Sequence, residues 1–447
     1  MSHYPNPESR SARLFERART VVPGGNSRNT IFHKPYPVFA QSGDGCRLRD
    51  VDGVERLDFI NNYTSLLHGH RHPAIIEAIQ AQLALGTCFA NPTEAEVRLA
   101  ELLVERVPSF DQVRFTNSGT EAVMMAIKAA RAHTGRSKIA KCEGLYHGCY
   151  DVAEVSLGAH PGNWGDGAPA ATAYSKGTPS AVLNDVVVIP FNEPETAEEI
   201  LSRHAKDLAA VLIDLMPSRV GFVRANPPFL TMLDEFRQTS GALLIVDEVI
   251  SFRMGMAGAQ GMMGVQPDLT ALGKIIGGGL PVGAVAGRAE VMSVFDHAQG
   301  PPALPHGGTF NGNPLSMAAG RAAMDLMTPE AHERLNRLGE KAIAELREAF
   351  ARAGVTGQVT GEGSLFAVNF KEKPPTTFRE AFVPPEESER VAALHRYCLD
   401  QGIILGSRGA GALSTPMGEA EVERLAEVFL GALKALPLGA LKPLAPA

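Results

Sequence analysis

An α/β fold built on a mostly parallel sheet, with a smaller α+β domain drawn from both ends of the chain, is what the 447-residue sequence predicts, on two observations. From about residue 113 to 295, short apolar runs alternate with amphipathic helical stretches, which is the rhythm of βα units. On either flank that rhythm gives way to other patterns. The chain accordingly reads as an N-terminal segment, 1–70, contributing to the small domain, a large α/β domain, 71–327, and a C-terminal small α+β portion, 328–447.

The N-terminal 19 residues are polar and carry charges of both signs, without the apolar core of a secretory signal, so a cytoplasmic location is expected. Between residues 36 and 59, Gly43-Asp44-Gly45 and Asp52-Gly53 are turn signals spaced for a small antiparallel meander. Candidate strands of the large domain lie at 112–116, 138–141, 186–189, 209–215, 242–247 and 269–272. A helix is predicted over 120–132, where Val123, Ile127 and Ala130 share one face and Gly135 supplies the stop. The stretch 159–183 is rich in Gly, Pro, Ala and Ser, has no period, and reads as a long loop of the kind that often serves as a lid. After Pro314 a helix runs to about Met327, and a second over 330–353 leads to strands near Val359 and Phe366; 437–447 reads as a loose tail.

A formal net charge of −7 and the absence of any Lys/Arg-rich run argue against nucleic acid as a partner. No window approaches the ~20 apolar residues that a membrane-spanning helix needs. The five cysteines are scattered, with no Cys-x-x-Cys spacing, and read as reduced thiols.

The chemistry concentrates in a few short segments. Lys274 stands in Leu272-Gly273-Lys274-Ile275-Ile276-Gly277-Gly278-Gly279, twenty-seven residues after Asp247, which ends the apolar run Leu243-Leu244-Ile245-Val246. An amine to hold an aldehyde as a Schiff base and a carboxylate to keep a pyridine nitrogen protonated are what pyridoxal 5′-phosphate requires. Taken alone, Asp247 reads first as the strand-end acid of any α/β enzyme, a magnesium ligand among the uses such an acid can have. Because side chains alternate along a strand, Val249 faces the same side as Asp247, where it can pack against a ring, and Glu248 points away. A Walker loop is not matched, since Lys274 precedes its glycine run, and no Gly-x-Gly-x-x-Gly follows a first strand as a Rossmann site would need.

Asn117-Ser118-Gly119-Thr120-Glu121 sits where a strand turns into a helix. Backbone N–H groups, two hydroxyls and the helix N-terminus there suit a phosphate, so Ser118, Gly119 and Thr120 form the candidate cradle; Ser118-x-x-Glu121 is also a plain capping box. Tyr146-His147-Gly148 follows the strand at 138–141 and offers an aromatic face. His68, His70 and His72 alternate before Pro73 but lack the companions of a zinc set, so no metal is expected.

Together these segments, with Val22-Pro23-Gly24-Gly25-Asn26-Ser27-Arg28 and Gly308-Thr309-Phe310-x-Gly312-Asn313-Pro314, resemble the class III aminotransferases among the fold-type I pyridoxal phosphate enzymes. The resemblance runs from about residue 21 to 430 and is greatest to the subgroup holding glutamate-1-semialdehyde aminomutase and the β-amino-acid and ω-transaminases. It implies that Lys274 carries the cofactor, that Asp247 pairs with its ring nitrogen, and that Tyr146 and Val249 sandwich the ring, with His147 beside them. It implies further that Gly119 and Thr120 hold the phosphate, joined by Thr309 from the partner of a homodimer, and that Arg28 takes a substrate carboxylate, a task suited to a planar guanidinium.

Three departures narrow the reading. Asn62-Tyr63-Thr64 stands where the aminomutase usually has Ser-Trp-Gly, so Tyr63 is expected to wall the substrate pocket; the region 159–183 differs from that enzyme's lid; and Asp214-Leu215 replaces a Glu-Pro pair. The expectation is therefore a transaminase moving an amino group from an amine or a β- or other amino acid to a keto acid or aldehyde. The aminomutase, and more remotely a non-catalytic binding protein of the same fold, are the alternatives.

Overall fold

The computed structural model describes residues 4–298 and 300–435, so the tail expected at 437–447 lies outside the described residues. After a helix at Arg10–Arg19 come β1 (Ala40–Asp44), β2 (Arg47–Asp50) and β3 (Glu55–Asp58), the antiparallel meander that its turn signals predict. Seven strands follow: β4 (Gln112–Thr116), β5 (Lys138–Cys142), β6 (Val186–Ile189), β7 (Leu208–Ile213), β8 (Leu243–Asp247), β9 (Leu269–Gly273) and β10 (Gly283–Gly287). The C-terminal part adds β11 (Gln358–Glu362), β12 (Leu365–Asn369), β13 (Ile403–Ile404) and β14 (Ala410–Ala412).

Two compact units result. One comprises residues 73–332 and 375–382, the other 1–72, 333–374 and 383–447. In the first, the seven strands form one sheet in the order β4-β10-β9-β8-β7-β5-β6, parallel except for β10, which runs antiparallel to both neighbours. Every residue of β6 to β10 is buried, which is why these segments read as unbroken apolar runs rather than alternating ones. The sequence pattern missed β10, because Gly-Ala-Val-Ala-Gly is short and has little of the branched or aromatic bulk that marks a strand.

The helix expected over 120–132 spans Gly119–Thr134. Gly135 closes it in the left-handed conformation, its N–H bonded to the Arg131 carbonyl. Its Ala122, Val123, Ala126, Ile127 and Ala130 face join Leu212, Ile245 and Ala271 of the sheet in one core. Segment 375–382, assigned from sequence to the C-terminal portion, clusters with the sheet instead. There Arg379 grips the buried Glu143 carboxylate with two nitrogens, at 2.8 and 3.1 Å.

Within 159–183 the last four residues begin a short helix, Ser180–Asn184. The rest folds around Ser156, whose hydroxyl donates to Ala170 O at 2.7 Å and accepts from Thr172 N–H at 3.1 Å, while Arg379 donates to Trp164 O at 2.8 Å. No helix among the described residues is long and apolar enough to cross a membrane.

In the second unit β13 extends the meander by pairing parallel with β3, and β11-β12-β14 form a separate antiparallel sheet. A buried Asp50–Arg56 ion pair ties β2 to β3, and Arg56 Nε also donates to Leu399 O at 2.9 Å. His70 bonds Asp58 and His68 bonds Thr415, so two of the three clustered histidines serve the fold.

His33 and His395 stack edge to face at 4.8 Å, and burial lowers them to about 3 and about 4. Both are neutral when folded, whereas the unfolded chain takes up their protons near pH 6.5. Stability is therefore full above that value and falls as the pH drops toward 4, by up to ~1.4 kcal/mol per pH unit for each ring. Urea unfolding at pH 7 and pH 5 tests this: the midpoint drops at pH 5 in the wild type, and the double variant His33→Gln, His395→Gln loses much of that dependence. An unchanged slope would refute the assignment.

Candidate active site

The C-terminal ends of β7, β8 and β9 bring the chemically distinctive groups to one edge of the sheet, the usual place for a ligand in an open α/β fold. Asp247 ends β8 and is buried. Its Oδ2 lies 2.8 Å from His147 Nδ1, and its Oδ1 accepts from the Val249 N–H at 3.0 Å. Burial lowers the His147 imidazole, against the pull of Asp247. A neutral ring bonded this way donates from Nδ1, which leaves Nε2 as a buried acceptor without a partner among the described residues. Glu248 does point to the other side, where its carboxylate accepts from Ala259 N–H and Gln260 N–H at 3.0 and 2.6 Å; burial pushes it up to about 7.

Lys274 follows β9 directly, with a φ of 48°, a left-handed conformation that costs a residue with a Cβ roughly 1 kcal/mol or more. Burial lowers its amine, opposed by the charges of Asp247 and Asp214. A left-handed backbone and a depressed amine are features found at functional positions, which makes Lys274 the candidate anchor.

The turn bearing Tyr146 and His147 is braced from behind. Lys141, wholly buried in β5, donates to the carbonyls of Cys142, Leu145 and Val155 at 3.2, 3.2 and 2.8 Å, one acceptor for each of its three protons, and burial lowers it to about 8. Gly148, at φ 91°, lies against the helix start so closely that a Cβ there would sit 2.6 Å from Thr120 Oγ1. Cys149 N–H donates to that same oxygen at 3.3 Å. The Tyr146 ring stands 48% exposed, open on one side.

At the helix start Ser118 is the N-cap, its Oγ accepting from Glu121 N–H at 3.2 Å, while the Glu121 carboxylate reaches back to Asn117 N–H at 2.6 Å. The capping box is thus displaced by one residue, and Ser118 keeps its O–H as a donor. The Gly119 and Thr120 N–H groups begin the helix and have no intrahelical acceptor. Val249 packs on Gly119, where an added Cβ would come within 2.9 Å of both its γ-carbons.

Two further parts of the expected site stand on other segments. Thr309 is on an exposed loop, next to Phe310 at 56% exposure, braced by Arg114 bonded to His306 at 2.9 Å and by Asn117 bonded to Asn311 at 2.8 Å. Arg28 and Tyr63 belong to the other unit. There residues 61–64 all take left-handed φ values, from 47 to 73°; Arg28 donates to Asn62 Oδ1 at 2.7 Å and the Tyr63 hydroxyl donates to Thr30 O. Asp58 supports that turn by accepting from the Ile60 and Asn61 N–H groups at 3.0 and 2.9 Å.

Sequence reasoning left three participants without a role: Lys141, Asp214, and the pairing of His147 with Asp247. A charged residue inside an apolar strand run was the available signal for the first two. The third joins residues one hundred positions apart.

An unpaired imidazole acceptor beside a buried carboxylate, a helix start with open N–H groups, and a desolvated amine suit an aromatic ring that carries a phosphate and an aldehyde. This is the arrangement of a pyridoxal phosphate enzyme of fold type I. Comparison then gives the family: residues 31–421 match the model for class III aminotransferases, and the chain belongs to that family. It is 54% identical to an ω-transaminase from Sphaerobacter thermophilus, with a TM-score of 0.94 over 96% of this chain and 98% of that one. A second structure, a transaminase with pyridoxal phosphate bound, shares 49% identity at a TM-score of 0.88, covering 95% of this chain and 96% of that one. Glutamate-1-semialdehyde 2,1-aminomutase of Methanothermobacter thermautotrophicus is 40% identical over 363 residues, 81% of this chain and 84% of its own length. The protein is a pyridoxal 5′-phosphate-dependent enzyme.

Because Val249 occupies the space a Cβ at Gly119 would need, Gly119→Ala is expected to destabilise the cofactor-free protein by about 1–3 kcal/mol. Adding Val249→Ala should restore most of the loss, which a double-mutant cycle in urea measures. Additive losses would show that the two positions are not coupled.

Proposed function

We propose that this chain is an intermolecular transaminase, moving an amino group from an amine or a β- or other amino acid to a keto acid or aldehyde. The observation that carries this reading is the higher identity with the ω-transaminase than with the aminomutase. The non-aminomutase sequence at Asn62-Tyr63-Thr64 supports it. Intramolecular amino transfer, as in the aminomutase, is the second reading, and the 40% identity favours it; it predicts isomerisation of a single amino-aldehyde with no added acceptor.

When bound, pyridoxal phosphate supplies an aldehyde to take the amine and a ring to draw electrons from the substrate. The chain's own residues do the rest. Lys274 would provide the amine that anchors the aldehyde, and its Nζ, when free and neutral, would take a proton from the donor Cα. Burial lowers the Lys274 amine, which favours its neutral, proton-accepting form. Asp247 holds a proton on the ring nitrogen, and His147 fixes Asp247 in place. Ser118, Gly119 and Thr120 would hold the phosphate by N–H and O–H donors, and Tyr146 and Val249 would pack on the ring. Arg28 receives a donor carboxylate, and Tyr63 walls the pocket beside it.

We further infer a cytoplasmic homodimer in which Thr309 reaches the partner's phosphate. Thr309 and Phe310 are exposed, and their loop adjoins 85–97, where Asn313 bonds Thr87 O at 3.0 Å and Leu85, Phe89 and Val97 are exposed at 75, 49 and 52%. An apolar surface of this kind suits a subunit contact.

Single donors mixed with the loaded enzyme test the chemistry. Loss of the Arg28 guanidinium in Arg28→Ala is expected to raise KM for β-amino acids by about 10- to 100-fold, the worth of a charge-assisted bond, and to leave carboxylate-free amines unaffected. Equal effects on both donor types would remove the carboxylate role. Mixed dimers test the shared site: Lys274→Ala alone is inactive and Thr309→Ala alone is weak, but co-expressed subunits should form one complete site with an intact Lys274 and an intact partner threonine. No recovery on mixing would place Thr309 outside the site.

A further inference from the structure

Asp214 immediately follows β7, and the register of β7 on β8 pairs Ile213 with Val246. The next residues along the two parallel strands are Asp214 and Asp247, so these carboxyls stand on adjacent strands about 5 Å apart at the backbone and face the same side. Both are buried, at 6% and 5% exposure.

Their surroundings are unequal. Asp247 accepts from His147 and from the Val249 N–H, whereas Asp214 Oδ1 accepts from the Met216 N–H at 2.8 Å. The charges around Asp214 are also one-sided. Asp247 and Glu248 come from β8 and the residue after it, and Lys274 from the loop after β9 is the cation that opposes them, while the Cys142 thiol on β5, pushed up to about 12 by burial, is neutral. Lys141, also on β5, has its three protons spent on carbonyls, and His147 is neutral. Two adjacent buried carboxyls with one nearby lysine do not both ionise at low cost; the better-bonded one keeps the charge.

We propose that Asp214 carries a proton at neutral pH and acts as a hydrogen-bond donor into the site, so that Asp247 alone presents a negative charge there. Burial and the Asp247 charge both push the Asp214 carboxyl well above its usual range, with the Met216 N–H and Lys274 pulling the other way. The inference rests on the transaminase site proposed above, in that the donor is directed at the cofactor. Its protonation state, however, belongs to the protein alone.

Infrared difference spectroscopy of the cofactor-free protein at pH 7, wild type minus Asp214→Asn, reads that state directly. The expected result is loss of a protonated-carboxyl C=O stretch that shifts in D2O. Loss of a carboxylate stretch in its place overturns the proposal. Glu248→Gln serves as the control that keeps the other raised carboxyl from being mistaken for Asp214. An amide is a neutral donor of similar shape, so Asp214→Asn should keep pyridoxal phosphate affinity within about threefold, whereas Asp214→Ala should weaken it about tenfold, the scale of one hydrogen bond. A tenfold or greater loss in Asp214→Asn, with the fold intact by circular dichroism, also overturns it. If Asp214→Asn does not fold, Asp214→Ser replaces it in the difference spectrum. A wild type that binds no cofactor defeats the transaminase reading, while the infrared result still decides the state of Asp214.

Discussion

A carboxylate buried at the end of a parallel strand is the constraint around which this molecule is arranged. Asp247 is costly to place there unless its oxygens are bonded, and the bonds come from two directions. The Val249 N–H is local. His147 comes from a turn after β5, and that turn keeps its shape because Lys141 holds it by three carbonyls and Arg379 grips Glu143 within it. A long chain of otherwise unremarked polar contacts thus serves one oxygen pair. Loosening any of them frees an imidazole whose second nitrogen is already an open acceptor.

The same economy runs through the helix start. Gly119 has no side chain because Val249 fills the space, and Gly148 has none because Thr120 does. Backbone N–H groups are left open where an anion can meet them, while the helix behind is fixed by the Ser118 cap and the Glu121 carboxylate. Lys274 carries the strain of a left-handed backbone at the third corner. Rigid parts and donors without partners therefore occur side by side, as expected of a site arranged before its ligand arrives.

Much of this was legible in the sequence, for local reasons. Lys274 among glycines, Asp247 at the end of an apolar run, and a Ser-Gly-Thr turn entering a helix are signals that each fit within ten residues. What could not be read depends on distant pairing. β10 is a run of small residues that becomes a strand only because β4 and β9 flank it, and segment 375–382 joins the large unit because Glu143 is there to receive Arg379. Lys141 can sit in an apolar strand only because three carbonyls, from Cys142, Leu145 and Val155, take its protons.

The sequence by itself determined the fold class and singled out Lys274, Asp247 and the Ser118-Gly119-Thr120 turn as candidates for the anchor, the ring acid and the phosphate cradle, because each signal follows from local periodicity or from a side chain's intrinsic chemistry. Tertiary structure alone decided how the charges are distributed among them. Whether a carboxyl is bonded twice or once, and whether an imidazole is neutral, depends on neighbours brought in by strand register. That is why His147 and Asp214 take their roles only once β5, β7 and β8 lie side by side.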